Sequence, residues 1–215
     1  MSGAITDDSN EADELMSRAA VGDAEALHAL FSRYRDRLKR MVHLRLSRRL
    51  QGRVDDSDVL QESYLEAARR LDEYLREPKL PFFLWLRQLT ALKLAEVHRR
   101  HLGTQLRDAD REVTLHRGGL PLADSVSLAA QLLGTLTTPS QAVIKAETRL
   151  LVQEALNGMD PIDREVLALK HFEQLSTTEI AAVLGLSKAG AGSRYLRAIK
   201  RLREILTQIP GFEAL

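Results

Sequence analysis

Asp56, Asp58, Gln61 and Glu62 fall within seven residues of one another. On a helix, Asp58, Gln61 and Glu62 sit one turn apart and share a face, because residues three and four apart are neighbours. Their polar ends then point outward while Leu60, Tyr64 and Ala67 turn inward. Such a face is either an acidic, amide-bearing docking surface or an ordinary capped surface helix. A second cluster, Lys188, Arg194, Arg197, Lys200, Arg201 and Arg203, is cationic at helical spacing and can meet phosphates or base edges. Neither cluster does covalent chemistry. No Gly-rich phosphate loop or nucleophile motif occurs. The six histidines include no metal-ligand pair beyond the loose His98 and His101, which lie in a basic run and read as DNA-facing or solvent-exposed. The expectation is recognition by charge and shape, with no catalysis, no metal and no cofactor.

Charge along the chain sharpens this reading. The formal net charge is only +1 over 215 residues. Residues 1–32 carry one basic and seven acidic side chains, a net −6, whereas residues 33–101 carry 17 basic and 10 acidic, a net +7. Residues 187–204 carry six basic and one acidic, a net +5. Two separated cationic regions in a nearly neutral chain suggest two contacts with a polyanion, since Lys and Arg facing phosphates release counterions. Two solvated helix faces are the alternative. Cysteine is absent, which excludes disulfides and thiolate metal sites and suits a reducing cytosol. No stretch approaches the roughly 18 apolar residues of a membrane span, and the acidic N-terminus is unlike a signal peptide. A cytoplasmic protein without membrane insertion is expected.

The elements that position these residues are helical. Leu, Ala, Arg and Glu dominate, and the β-branched and aromatic runs that strands favour are missing. Residues 1–10 read as a disordered tail. Apolar residues then recur at three- and four-residue intervals from Leu15 to Tyr34, broken by a turn at Val21-Gly22-Asp23, and continue to Leu46. Asp55 to Asp58 offers capping carboxylates for a helix burying Leu60, Tyr64, Ala67, Ala68 and Leu71. Pro78 and Pro81 end it, and a further helix runs from Phe82 to the basic cluster His98–His101. Between Gly103 and Ser140 the periodicity weakens and Gly118, Gly119, Pro121 and Pro139 punctuate a linker, within which Ser125–Leu136 is apolar enough to form a short helix or dock on a partner.

The sharpest local signal lies between Asp160 and Leu206. Asp160-Pro161 pairs a good N-cap with a residue preorganised for the first helical position. Ser176 with Glu179 is a reciprocal capping box, and Gly185 stands where a left-handed residue ends that helix. Ser187 caps a third, strongly basic helix reaching Leu206. Ala181 facing the partner helix and Gly185 four residues later are what a tight helix-turn-helix needs. A helical hairpin with a basic outer face is the competing reading.

With these motifs in order, the chain resembles the extracytoplasmic-function sigma factors of the sigma-70 superfamily, bacterial subunits that carry RNA polymerase to promoters. Asp58-Val59-Leu60-Gln61-Glu62-Ser63-Tyr64 is similar to the Asp-Leu-Val-Gln-Glu-Thr-Phe signature of region 2.2, and Leu175–Leu202 resembles the region 4.2 helix-turn-helix. The resemblance implies an all-α fold of two small helical domains joined by a linker. Residues 11–102 would form the region 2 domain, 103–140 the linker, 141–208 the region 4 domain and 209–215 a tail.

It also implies partners and roles. Asp56, Asp58, Gln61 and Glu62 would meet the clamp helices of the polymerase largest subunit, with the flap of the second-largest subunit as a further contact. Lys79, Phe82, Phe83, Arg87, Gln88, Lys93, Arg99 and Arg100 would engage the melted minus-ten element. There a flipped base needs an apolar or aromatic slot and the single strand needs cations. Phe82 and Phe83 are read either as slot or as core, and Trp85 as core. Ser187, Lys188, Gly190, Ser193, Arg194, Arg197 and Lys200 would read the minus-thirty-five duplex. An anti-sigma factor would be the restraining partner, and Ser57 and Ser63 are modification candidates by position. Two departures stand out: Leu92 where the family often has Asn, and Ala189-Gly190-Ala191-Gly192 where Gly-Thr-Val-Lys is common. The second leaves minus-thirty-five specificity open. It also keeps two alternatives in view, a sigma-like decoy that binds a regulator and a stand-alone helix-turn-helix regulator.

Overall fold

Helix boundaries follow from capping chemistry. After α1 (Gly3–Ala20), Gly22 turns the chain with φ +88°, a conformation glycine adopts at little cost. Asp23 then caps α2 (Ala24–Arg45), accepting hydrogen bonds from the amides of Glu25 and Ala26 at 3.0 and 3.1 Å. Asp55 caps α3 (Asp56–Arg76) through the amide of Ser57 at 2.8 Å. Pro78 and Pro81 separate α3 from α4 (Phe82–Leu102). α1 opens inside the stretch 1–10 whose composition reads as a tail. The computed structural model describes residues 3–46, 50, 52–102, 122–136 and 142–207. The linker portions 103–121 and 137–140 and the tail 209–215 lie outside the described residues.

The later half contains α5 (Ser125–Leu136), α6 (Ala142–Asn157), α7 (Pro161–Leu167), α8 (Thr177–Leu184) and α9 (Lys188–Leu206). α7 runs on into a π-helical turn, Ala168–Phe172. The expected all-α class holds: the described residues form nine α-helices and this π-turn, with no strand among them. α2 is the hub of the first half, packing on α1, α3 and α4. The apolar linker segment forms α5, which packs on α6 and also touches α2, and the Asp124 amide donates to the Leu44 carbonyl at 2.9 Å.

Two hydrophobic cores result, and they interlock. The first gathers Leu30, Leu38, Val42, Leu60, Leu86 and Leu94 from α2, α3 and α4, and extends into Val166, Leu169, Ile180 and Leu184 of the later half. The second gathers Leu128, Val152, Leu156, Ala168 and Ala198, and takes in Leu44 from α2. Each fully buried leucine contributes on the order of 2 kcal/mol relative to exposure. Apolar burial therefore crosses from one half to the other in both cores.

Candidate functional site

The acidic face is built as its spacing requires. α3 buries Val59, Leu60, Ser63, Ala67 and Leu71, and Tyr64 packs its ring edge-on to Phe31, 5.2 Å between centroids. The opposite side leaves Asp58 and Gln61 exposed and Glu62 half-buried, with Glu62 facing Arg100 at 3.7 Å. These three residues, together with Arg53, Leu65 and His101, line a shallow depression of about 380 Å³ between the start of α3 and the end of α4. Leu65, 48 % exposed, adds an apolar patch to it. Asp56 stands apart, paired with His43 at 3.2 Å. Sequence reasoning did not include Arg53, Leu65 and His101 in this face. Leu65 was within reach, since it lies three and four residues from Glu62 and Gln61. Ser63 is buried, its hydroxyl donating to the Val59 carbonyl at 2.6 Å, so it offers no accessible modification site, whereas Ser57 is half-buried.

The residues expected at a melted strand divide into three groups. Lys79 and Gln88 line a cavity of about 200 Å³ with Arg70, Tyr74, Leu80 and Trp85. Trp85 stacks on Tyr74 with centroids 4.5 Å apart, and buried Phe82 packs behind both. The aromatic walls of this cavity are Tyr74 and Trp85, the latter read from sequence as core, and not Phe82 or Phe83. Lys93, Arg99 and Arg100 lie further along α4: Lys93 pairs with Glu96 at 3.1 Å and reaches Glu66 at 3.9 Å, while Arg99 is exposed. Gln88, Leu92 (42 % exposed) and Arg99 share the outer ridge of α4 with Trp85. Phe83 and Arg87 face inward. Phe83 is buried under the Arg37 guanidinium, 3.7 Å above its ring, a cation–π contact. Arg87 is buried against Glu173 at 2.6 Å, so in this arrangement it cannot touch nucleic acid.

The helix-turn-helix has the local chemistry expected of it. Ser176 and Glu179 exchange both capping-box hydrogen bonds, at 2.7 and 3.2 Å. Gly185 closes α8 in the left-handed conformation at φ 63°. Ser187 then accepts from the Gly190 amide at 3.0 Å and starts α9. α9 buries Ala191, Ala198 and Leu202 and exposes Ser187, Lys188, Ser193, Arg197 and Lys200. Asp160 and Asp163, absent from the sequence reading of the site, orient two of its cations. Arg194 reaches Asp163 at 2.7 Å and Asp160 at 3.4 Å, and Arg197 reaches Asp163 at 3.1 Å. Burial pushes the Asp160 carboxyl up, but the Ile162 and Asp163 amides and the guanidiniums of Arg194 and Arg197 outweigh it and leave it below the ordinary value. Leu196, 69 % exposed, is an apolar residue among these cations.

The two glycines that depart from the family pattern are helical and not equivalent. A Cβ at Gly190 would stand 3.0 Å from the capping Ser187 hydroxyl, whereas one at Gly192 would meet only the Thr177 methyl at 4.0 Å. Gly192→Ala should therefore raise unfolding free energy by up to about 1 kcal/mol. Gly190→Ala should gain less, and thermal melts of the two variants compare them directly.

An exposed helix face bearing Asp58, Gln61 and Glu62, an aromatic-walled cavity and a helix-turn-helix with a cationic outer helix follow one another in that chain order in an all-helical protein. Residues 149–202 match the family described as Sigma-70, region 4. The chain is 22% identical over 203 residues to the ECF RNA polymerase sigma factor BldN of Streptomyces coelicolor, covering 94% of this chain and 69% of that one. It is 28% identical over 194 residues to the RNA polymerase sigma factor CnrH of Cupriavidus metallidurans, covering 89% and 92%. A 58-residue stretch is 45% identical to the RNA polymerase sigma-E factor of Streptomyces antibioticus, covering 27% and 32%. Among solved structures, CnrH in complex with the cytosolic domain of CnrY shares the fold, with TM-score 0.55 at 22% identity over 92% of this chain and 98% of that one. The chain is thus similar to extracytoplasmic-function RNA polymerase sigma factors over most of its length, and sigma factors are regulatory rather than catalytic proteins. No helix among the described residues is long and apolar enough to cross a membrane.

Proposed function

We propose that this chain directs RNA polymerase to a particular class of promoters in the bacterial cytoplasm and carries no reaction step of its own. The observation that carries the reading is the exposed face of Asp58, Gln61 and Glu62 around Leu65, joined in one chain to a capped helix-turn-helix with an exposed cationic helix. The exposed Asp58 carboxylate, Gln61, Glu62 and apolar Leu65, flanked by Arg53 and Arg100, offer carboxylates and an apolar patch to the basic, amphipathic surface of a polymerase coiled coil, the clamp helices of the largest subunit. The flap of the second-largest subunit is the proposed contact of the later half.

Residues 11–102 act as the minus-ten module and residues 141–208 as the minus-thirty-five module in this reading. The cavity walled by the stacked Tyr74 and Trp85 takes a flipped base, while Lys79, Gln88 and Arg99 lie along the displaced strand. Ser187, Lys188, Ser193, Arg197 and Lys200 meet the upstream duplex, with Gly190 at the cap of their helix and Arg194 held in place by Asp160 and Asp163. The chemistry is binding and strand separation. A restraining protein of the anti-sigma type fits a chain whose Asp58 and Gln61 face is exposed in the unbound form.

Reconstituting core polymerase with the full chain and mapping transcript starts across genomic DNA tests the proposal. Discrete starts sharing two upstream elements are expected. Polymerase binding without new starts would favour a decoy, and tight specific duplex binding without polymerase would favour a stand-alone regulator.

A further inference from the structure

Four ionisable side chains are buried where the two halves meet. Arg45 of α2 and Arg87 of α4 come from the first half; Glu165 of α7 and Glu173, just past the π-turn, come from the second. Arg45 pairs with Glu165 and with Glu173, the latter at 2.6 Å. Arg87 pairs with Glu173 at 2.6 Å and lies 3.9 Å from Glu165. All four side chains are at most 4% exposed. The second Glu165 oxygen accepts from the Ala123 amide at 2.8 Å, and Arg45 also donates to the Met41 carbonyl.

Local backbone geometry presents the glutamates to the arginines. The π-turn and the positive φ of Gln174, 57°, turn three consecutive carbonyls toward α2. Arg40 donates to the Phe172 carbonyl at 2.8 Å, and Arg37 donates to those of Glu173 and Gln174 at 3.1 and 3.3 Å. A non-glycine residue in that region is uncommon and is held there by its surroundings. Four arginines of the first half are thus occupied by acceptors of the second.

This packed form cannot be the one that spans a promoter. Elements centred about 25 base pairs apart are separated by about 85 Å at ~3.4 Å per pair. A packed chain of this length has a radius of gyration of about 17 Å and a diameter of about 44 Å. The halves must separate for both elements to be held at once.

We propose that Arg45, Arg87, Glu165 and Glu173 form an intramolecular latch, in which two glutamates of the later half on Arg45 and Arg87, and three backbone carbonyls on Arg37 and Arg40, occupy a cationic surface that binds nucleic-acid phosphates once the halves part. The purpose of the latch rests on the promoter-recognition reading above; its existence does not. Two positive and two negative charges balance in the closed form. Removing one partner leaves a buried charge uncompensated and favours opening, whereas replacing all four by apolar groups of similar size need not. Opening returns the arginines to the surface on the inward side of the first half, where the later half had packed. It thereby couples separation of the halves to the appearance of a strand-binding face.

The test uses the full chain, which has no cysteine of its own. Cysteines placed at the exposed positions Asp72 and Arg201 carry spin labels, and pulsed dipolar spectroscopy reads the distance between the halves. The unbound wild-type background should give a single distribution within the ~44 Å of the packed form. Glu173→Gln should broaden it to longer distances at unchanged helicity and strengthen binding of a single-stranded oligonucleotide by at least about tenfold, a gain that Arg87→Gln in the same background removes. The R45M/R87M/E165M/E173M variant should return the short distribution without the gain. A wild-type distribution that is already broad, or a Glu173→Gln distribution matching wild type, would overturn the proposal. Should Glu173→Gln lose helicity, the fourfold variant decides: a closed chain supports the latch and an open one contradicts it. Distances that respond as stated alongside failed transcription would leave the latch standing and remove the promoter reading.

Discussion

Reversing charge at Asp58 and Glu62 together, as D58K/E62K, should weaken association with core polymerase by roughly a hundredfold and abolish initiation. Asp58 is exposed and Glu62 half-buried, so neither holds the fold: the core beneath them is Val59, Leu60, Ser63 and Ala67. Placing two cations against a basic surface replaces attraction with repulsion, and like-charge juxtaposition at an interface costs several kcal/mol. About 3 kcal/mol corresponds to roughly a hundredfold at room temperature. Circular dichroism should be unchanged, and competition against the wild-type chain for polymerase measures the loss. Asp56→Asn should do much less, because Asp56 lies outside the depression and pairs with His43.

Leu44→Ala should have the largest effect on stability. Leu44 belongs to α2 yet is fully buried in the second core with Leu128, Leu156 and Phe172, and its carbonyl accepts from the Asp124 amide. Truncation removes apolar burial and leaves a cavity where the halves meet, a change that costs about 2–5 kcal/mol in well-packed sites. Differential scanning calorimetry should show the wild-type transition moving to lower temperature and separating into two as the halves lose their mutual support. Leu92→Ala, at an exposed position on the outer ridge of α4, should leave the melt nearly unchanged.

What could be read in advance was local. The capping box of Ser176 and Glu179, the left-handed Gly185, the Asp160-Pro161 start, the turn at Val21-Gly22-Asp23 and the cap at Asp55 are signals spanning at most a few residues, and each is formed as expected. Helical periodicity likewise gave the all-α class and placed Leu60, Tyr64 and Ala67 inward. What stayed hidden was long-range. Arg87 and Glu173 are 86 residues apart in the chain, and nothing in the spacing of either marks a partner. A cation in a basic helix reads as a surface group, although this one is buried. Trp85, read as core, does pack half-buried against the first core, but its stacking on Tyr74 also places it in the wall of the cavity, which its sequence position did not reveal. The π-turn at Ala168–Phe172 had no sequence signal of its own. It follows from packing that threads Leu169 and Leu175 into the first core while Phe172 enters the second.

The orienting aspartates carry the same lesson at shorter range. Asp163 lies about thirty positions before Arg194 and Arg197, too far for helical spacing to suggest a contact. Yet the turn between α8 and α9 folds the basic helix back across α7. Capping by Asp160 and positioning of two cations are therefore performed by neighbouring residues of one helix start, and only the capping was visible in one dimension.

The most direct measurement is permanganate reactivity of thymines on a promoter found by transcript mapping, taken with polymerase alone, the chain alone, and both. The account predicts that thymines near the start site become reactive only when both are present, and that D58K/E62K abolishes this while still folding. Reactivity or specific protection produced by the chain without polymerase, or opening that survives D58K/E62K undiminished, would contradict it.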